Sequence, residues 1–173
     1  MLESDKRMST THSRLFLRFE HDFLFFLIAS LVYIADQFTK YLVRTNLALG
    51  ESFPHTGILR ITHVTNTGAA FGILQGQTVF LTFTTLFGLA AILLYYLYPP
   101  MEHGILRIAL GLQLGGALGN LSDRIRVGKV TDFIDFRFWP AFNVADSCIV
   151  IGVITIVVFL TFSDSLWPSK NTT

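Results

Sequence analysis

Four aspartates, Asp123, Asp132, Asp135 and Asp146, crowd the stretch GGALGNLSDRIRVGKVTDFIDFRFWPAFNVAD from Gly115 to Asp146. The same stretch holds Asn120, Asn143 and four basic side chains, Arg124, Arg126, Lys129 and Arg137. The types point to acid–base chemistry on carboxylates. Nothing near them builds a nucleophilic triad: no histidine lies in the stretch, serines are scattered, and Cys148 has no base beside it. Carboxylates alone hydrolyse a peptide bond when two share one proton. The ionised partner takes a proton from water, and the neutral partner donates to the scissile carbonyl or the leaving amine. Like charges held close cannot both ionise, which separates the two titrations. On residue type, all four aspartates are eligible.

The elements that must position them are set by hydropathy. The chain has 173 residues, 51% hydrophobic and only 14% charged, where a soluble domain carries about 25% charged residues. Four apolar runs, about residues 23–43, 79–98, 105–121 and 144–162, each approach the length that crosses a bilayer. The expected fold is an all-α polytopic membrane protein of four transmembrane helices. A single membrane domain over residues 1–173 follows, with a polar, solvated N-terminal segment over 1–22. Tyr95, Tyr96 and Tyr98 suit an interfacial belt, and Pro99 and Pro100 stop the second helix, to which no chemistry is assigned. The formal net charge of +1 says nothing about nucleic acid; with no basic tract of the kind that binds it, no nucleic-acid partner is expected.

Between the first two spans, Ile58 to Thr65 (ILRITHVT) is rich in β-branched residues and predicts a short strand. NTGAAF follows at Asn66 to Phe71, with a backbone open to close approach. His55 and His63 lack companions at ligand spacing, so no metal is expected. Cys148, the single cysteine, reads as a packing residue. Gly111, Gly115 and Gly119 recur every fourth residue and predict a close helix contact.

Each polar candidate also has a plain structural reading. Asp36 and Lys40 in ADQFTK share a helical face as an ion pair, with Lys40 reaching to the headgroups. Asp123 beside Arg124 fits a surface pair, and Asp132 with Asp135 a solvated loop. Asn143 is placed to cap the fourth helix, with Asp146 at its third position, where exposed N–H groups favour an acid. Against these readings stands a coincidence: polar groups at the ends of three helices all fall on one side.

Five segments then carry a resemblance: DQFTK at Asp36 to Lys40, NTGAAF at Asn66 to Phe71, GGALGNLSDR at Gly115 to Arg124, VTDF at Val130 to Phe133, and FNVAD at Phe142 to Asp146. In this order, on four apolar spans, the chain resembles the bacterial lipoprotein signal peptidases, the signal peptidase II family of intramembrane aspartyl peptidases. The resemblance implies a cytoplasmic (inner) membrane enzyme with both termini in the cytoplasm. Its active site would lie near the outer face, with a small extracytoplasmic β element between helices 1 and 2. It implies diacylglyceryl-modified prolipoproteins as substrates, cut before the lipid-bearing cysteine, and globomycin as an inhibitor. By the same resemblance Asp132 and Asp146 are the catalytic pair. Asn66, Asn120, Arg124 and Asn143 fall at positions that bind substrate, and Asp36, Lys40 and Asp123 at positions that support the site.

No cofactor is implied. A monomer in membrane lipid is expected, because the substrate must enter laterally. The segment from Asp135 to Phe142 is shorter than in some members, and Asp135 has no role in the pattern. Two other functions are weighed: a small proton-coupled transporter, which calls for acids near the bilayer midplane on facing helices, and an assembly factor whose glycine face binds partner helices.

Overall fold

The computed structural model describes residues 2–68, 74–97 and 103–166, with side chains described from residue 23 to residue 162 among these. Among the described residues, four long helices and three short strands follow in the order α1 (Leu2–Asn46), β1 (Ser52–Phe53), β2 (Arg60–Asn66), α2 (Thr78–Leu97), α3 (Gly104–Val127), β3 (Val130–Asp135) and α4 (Val144–Leu166). Phe23–Asn46 of α1, all of α2 and α3, and Val144–Phe162 of α4 are long and apolar enough to cross a membrane. Expectations for Tyr98, Pro99 and Pro100 and for Ala69 to Phe71 lie outside the described residues.

The helix α3 is the hub, with 61% of an 18-residue apolar stretch buried inside the protein against 28%, 11% and 17% for the like stretches of α1, α2 and α4. Glycine makes that centrality possible. A Cβ on Gly115 would stand 2.5 Å from the Ala29 carbonyl oxygen of α1, and one on Gly116 would stand 2.5 Å from the Ala145 carbonyl oxygen of α4. Adjacent glycines therefore admit backbones on both flanks, where dispersion contacts and not water exclusion hold helices together. Phe25, Leu106, Leu110, Leu114 and Phe159 fill the remaining core. Tyr96, expected in an interfacial belt, stacks on Phe25 at 4.2 Å between ring centroids and lies beneath the Arg107 guanidinium.

Two helices outrun their apolar stretches. The first continues N-terminally as helical backbone to Leu2, through the segment expected to be polar and solvated. The third continues past Leu121 to Val127, which puts Asp123 and Arg124 in its last turns. Nothing in SDRIRV breaks a helix, and Arg124 and Arg126 suit its negative end. Gly128 then ends it in the left-handed conformation (φ +77°), its N–H donating to the Arg124 carbonyl at 3.1 Å.

The β element is a three-stranded antiparallel sheet in the order β1-β2-β3. Its second strand is the expected one, shifted to Arg60–Asn66, while its third comes from the connection between α3 and α4. VTDFID, read as a solvated loop, is strand with five of its six residues buried. The sheet thereby joins both connections into one wall at the ends of α1, α3 and α4.

Candidate active site

The first turn of α4 is fixed by three side chains. Asn143 Oδ1 accepts from the Asp146 N–H at 2.9 Å, and Asp146 Oδ2 accepts from the Asn143 N–H at 3.3 Å, a reciprocal cap. The Ala145 N–H donates across the bundle to Asp36 Oδ1 of α1 at 3.0 Å. A helix start leaves unpaired N–H groups; here part of that need is met from a different helix. The Asp36 carboxylate reaches its place because residue 119 is glycine, since a Cβ there would collide with Asp36 Oδ2.

Asp132 arrives from β3 and is 2% exposed. Its Oδ1 accepts from Asn143 Nδ2 at 2.7 Å and its Oδ2 from Asn66 Nδ2 at 3.0 Å. Asp146 Oδ1 accepts from Asn120 Nδ2 at 2.7 Å. The amide orientations follow from neighbours that can only donate. Asn66 Oδ1 faces the Gly68 N–H (2.8 Å), Asn143 Oδ1 faces the Asp146 N–H, and Asn120 Oδ1 faces the Lys40 ammonium (2.9 Å). With each oxygen pinned, each NH₂ must point at a carboxylate. Three asparagines are thus oriented donors around two acids.

Burial pushes the Asp132 carboxyl up to about 7, and the nearby Asp146 charge adds to this. The Asn66 and Asn143 donors and the Lys40 charge oppose that rise. A carboxyl titrating near neutrality beside a second carboxylate is suited to carrying a shared proton.

Behind the pair lies a buried charge cluster. Lys40 and Asp36 are both fully buried, 2.8 Å apart, so Lys40 does not reach to the headgroups. Asp123 is 1% exposed and is no surface partner of Arg124. Its Oδ2 accepts from the Thr131 N–H at 3.0 Å and lies 3.5 Å from Lys40 Nζ. Its Oδ1 accepts from Arg44 at 3.2 Å and from Gln37 at 3.4 Å. Two acids and two bases balance in charge, which burial requires.

Arg44, Gln37 and Thr131 had no role in the sequence reading. The signal for Arg44 was present, since Asp36, Lys40 and Arg44 repeat every fourth residue along one face. Thr85 was also missed: it accepts a long 3.4 Å bond from Arg124, so α2 does touch the site.

A cavity of about 770 Å³ opens in front of the acids. Asn66, Asn120, Arg124, Asp132 and Asp146 line it together, and Arg124 lies within electrostatic reach of both acids. Trp139, Pro140, Phe142, Ile149 and Val150 give its other wall an apolar face. Asn143 is fully buried and touches both acids from behind; Asp36, Lys40 and Asp123 form the layer beyond. Asp135 is not brought to the cavity. It meets Arg60 at 2.5 Å, Thr62 Oγ1 at 2.7 Å and the Arg137 N–H at 2.7 Å. Burial raises its carboxyl, but those donors outweigh burial and hold it below the usual carboxylate range. Among the described residues, no group of three or more His, Cys, Asp or Glu side chains is placed to hold a metal ion.

Known proteins match over the same region. The family model described as signal peptidase (SPase) II matches residues 28–162. The lipoprotein signal peptidase of Moorella thermoacetica is 49% identical over 131 residues, covering 75% of this chain and 87% of the relative. That of Staphylococcus aureus is 42% identical over 141 residues, covering 78% and 85%. A bacterial membrane enzyme solved at 2.3 Å superposes with a TM-score of 0.78 at 38% identity, over 85% of this chain and 93% of that one. Four spans, a three-stranded sheet and a carboxylate-lined cavity stand in the matched region, and the chain belongs to the signal peptidase II family of membrane aspartic peptidases.

Proposed function

We propose that this protein removes the signal peptide from lipid-modified prolipoproteins, cutting before the diacylglyceryl-cysteine, with Asp132 and Asp146 as the catalytic pair. One observation carries the reading: two acids from different elements line one cavity, held by oriented asparagine donors, with the Asp132 carboxyl near neutrality. Asp132 carries the shared proton and donates it to the scissile carbonyl. Asp146 is the ionised partner and takes a proton from the attacking water. Arg124 and Asn66, on the cavity rim, bind the substrate backbone together with Asn120. Asn143 positions both acids and closes the substrate site from behind. Lys40 supports Asn120, Asp36 the first turn of α4, and Asp123 the backbone of β3.

The apolar wall around Phe142, Ile149 and Val150 suits acyl chains arriving from lipid, and globomycin-type inhibitors would occupy the same cavity. An even number of spans puts both termini on one side. We place them in the cytoplasm, with the sheet and cavity toward the outer face of the inner membrane and the enzyme acting as a monomer.

The test is a reconstituted assay offering one prolipoprotein with and without its diacylglyceryl group. Cleavage of the modified form alone, with a new N-terminus at the lipid-bearing cysteine, is the expected result. Equal cleavage of the unmodified form would contradict the substrate assignment.

A further inference from the structure

Asp135 is buried and charged, yet it lies off the cavity and has no part in the reaction above. Its surroundings give it a different task. Strands β2 and β3 pair Arg60 with Asp135 and Ile61 with Ile134, but Val64 with Asp132, Thr65 with Thr131 and Asn66 with Val130. Four steps along β2 match three along β3, so β2 carries one extra residue between Ile61 and Val64.

That bulge decides which face Asn66 presents. Residues paired across antiparallel strands point to the same side, and neighbours alternate. With Asn66 opposite Val130, its side chain shares a face with Asp132, and the 3.0 Å bond forms. Continuing the Arg60–Asp135 register without a bulge would set His63 opposite Asp132 and turn Asn66 to the other face. A one-residue slip thus removes one of the donors to Asp132.

The bulge is held from both sides. Toward β1, the His63 N–H donates to the Glu51 carbonyl at 3.0 Å and the His63 carbonyl accepts from the Gly50 N–H at 2.8 Å. Ser52 Oγ meets Thr62 Oγ1 at 2.8 Å. Toward β3, Asp135 ties Arg60 before the bulge and Thr62 within it, and accepts from the Arg137 N–H of its own turn. Arg60 to Asp135 is charge-assisted and short, the strong kind of bond.

We propose that Asp135 is a positioning residue, a register lock that clasps Arg60 and Thr62 so that the bulge places Asn66 against Asp132. The inference rests on the reading of Asp132 as a catalytic acid. It explains why a carboxylate sits so near the pair without joining it.

The test reads register and activity separately. Ile61 and Ile134 are opposed, and both hydrogen-bonding groups of Ile134 are turned to Phe142, so this is a close, non-hydrogen-bonded pair suited to a disulfide. In a Cys148→Ala background, Ile61→Cys/Ile134→Cys should close readily on oxidation. Adding Asp135→Ala should lower the yield of closed protein and cut kcat roughly 10- to 100-fold while open. The closed fraction should recover most of that activity and lose it again on reduction.

The open Asp135→Ala protein should also move the alkaline limb of the pH–rate profile upward, as Asn66→Ala does, and the two together should add nothing. The other charged groups facing Asp132, namely Asp146, Lys40 and Arg124, are unchanged in these variants. Thr62→Val, which removes one clasped partner, gives the same series in milder form should Asp135→Ala not fold. Undiminished closure in Asp135→Ala, or a closed form that stays inactive, would overturn the lock. Wild-type cleavage by Asp132→Asn would instead overturn the catalytic reading, and the closure yields would still report the register.

Discussion

The oxygen of each of Asn66, Asn120 and Asn143 is pinned by a group that can only donate, so none of their NH₂ groups is free to turn away from the acids. This sets the polarity of the site. Donors to a carboxylate favour its charged form, so losing one raises the carboxyl further. Asp132, already lifted to about 7 by burial and by Asp146, works as an acid only while protonated. Cleavage should therefore fall as pH rises through about 7, where Asp132 loses its proton. In Asn66→Ala the limb should move to higher pH while the maximum rate drops, as a pH series of kcat in detergent or nanodiscs would show.

Lys40 gives a second expectation at this scale, because it pins Asn120 and neutralises Asp36 at once. Lys40→Met leaves Asp36 and Asp123 buried with Arg44 alone, a loss on the order of 3–5 kcal/mol. Asp36→Asn/Lys40→Met removes a charge of each sign and should recover part of the thermal stability but little activity.

Among the elements, α3 lets the others converge, and its glycines set the spacing. Gly116→Ala should force α4 away from α3 and carry the Asn143–Asp146 cap with it, since the added Cβ meets backbone at 2.5 Å. Overpacking of this kind costs about 1–3 kcal/mol, and a lowered unfolding midpoint with a larger fall in kcat would report both effects. The glycine spacing and the Asn143 cap were legible in the sequence because both are local patterns, read within one helix.

Strand β3 was not legible. It is buried on both faces and carries two aspartates, so it shows neither the alternation of a half-exposed strand nor the apolar run of a core one. The helical run from Ser122 to Val127 was hidden for a related reason, since its polar residues are paid for by partners on α1 and β3 that spacing along the chain cannot show. The role of Asp135 depends on a bulge in another strand, and register across strands is a tertiary property.

For the whole molecule, the four spans were plain from composition, and among the described residues four helices are long and apolar enough to cross a membrane. What hydropathy could not supply is the convergence: α1 sends Asp36, Lys40 and Arg44 beneath the floor, β3 and α4 each deliver an acid, and β2 closes the side. The most direct measurement is cleavage of diacylglyceryl-modified prolipoprotein by reconstituted Asp132→Asn and Asp146→Asn, with unfolding midpoints measured alongside. Each substitution keeps the shape and removes one member of the proposed shared-proton pair. Both folded variants should lose at least about 10³-fold in kcat, within the range of acid–base catalysis and electrostatic stabilisation combined. Wild-type turnover by either folded variant would contradict the pair.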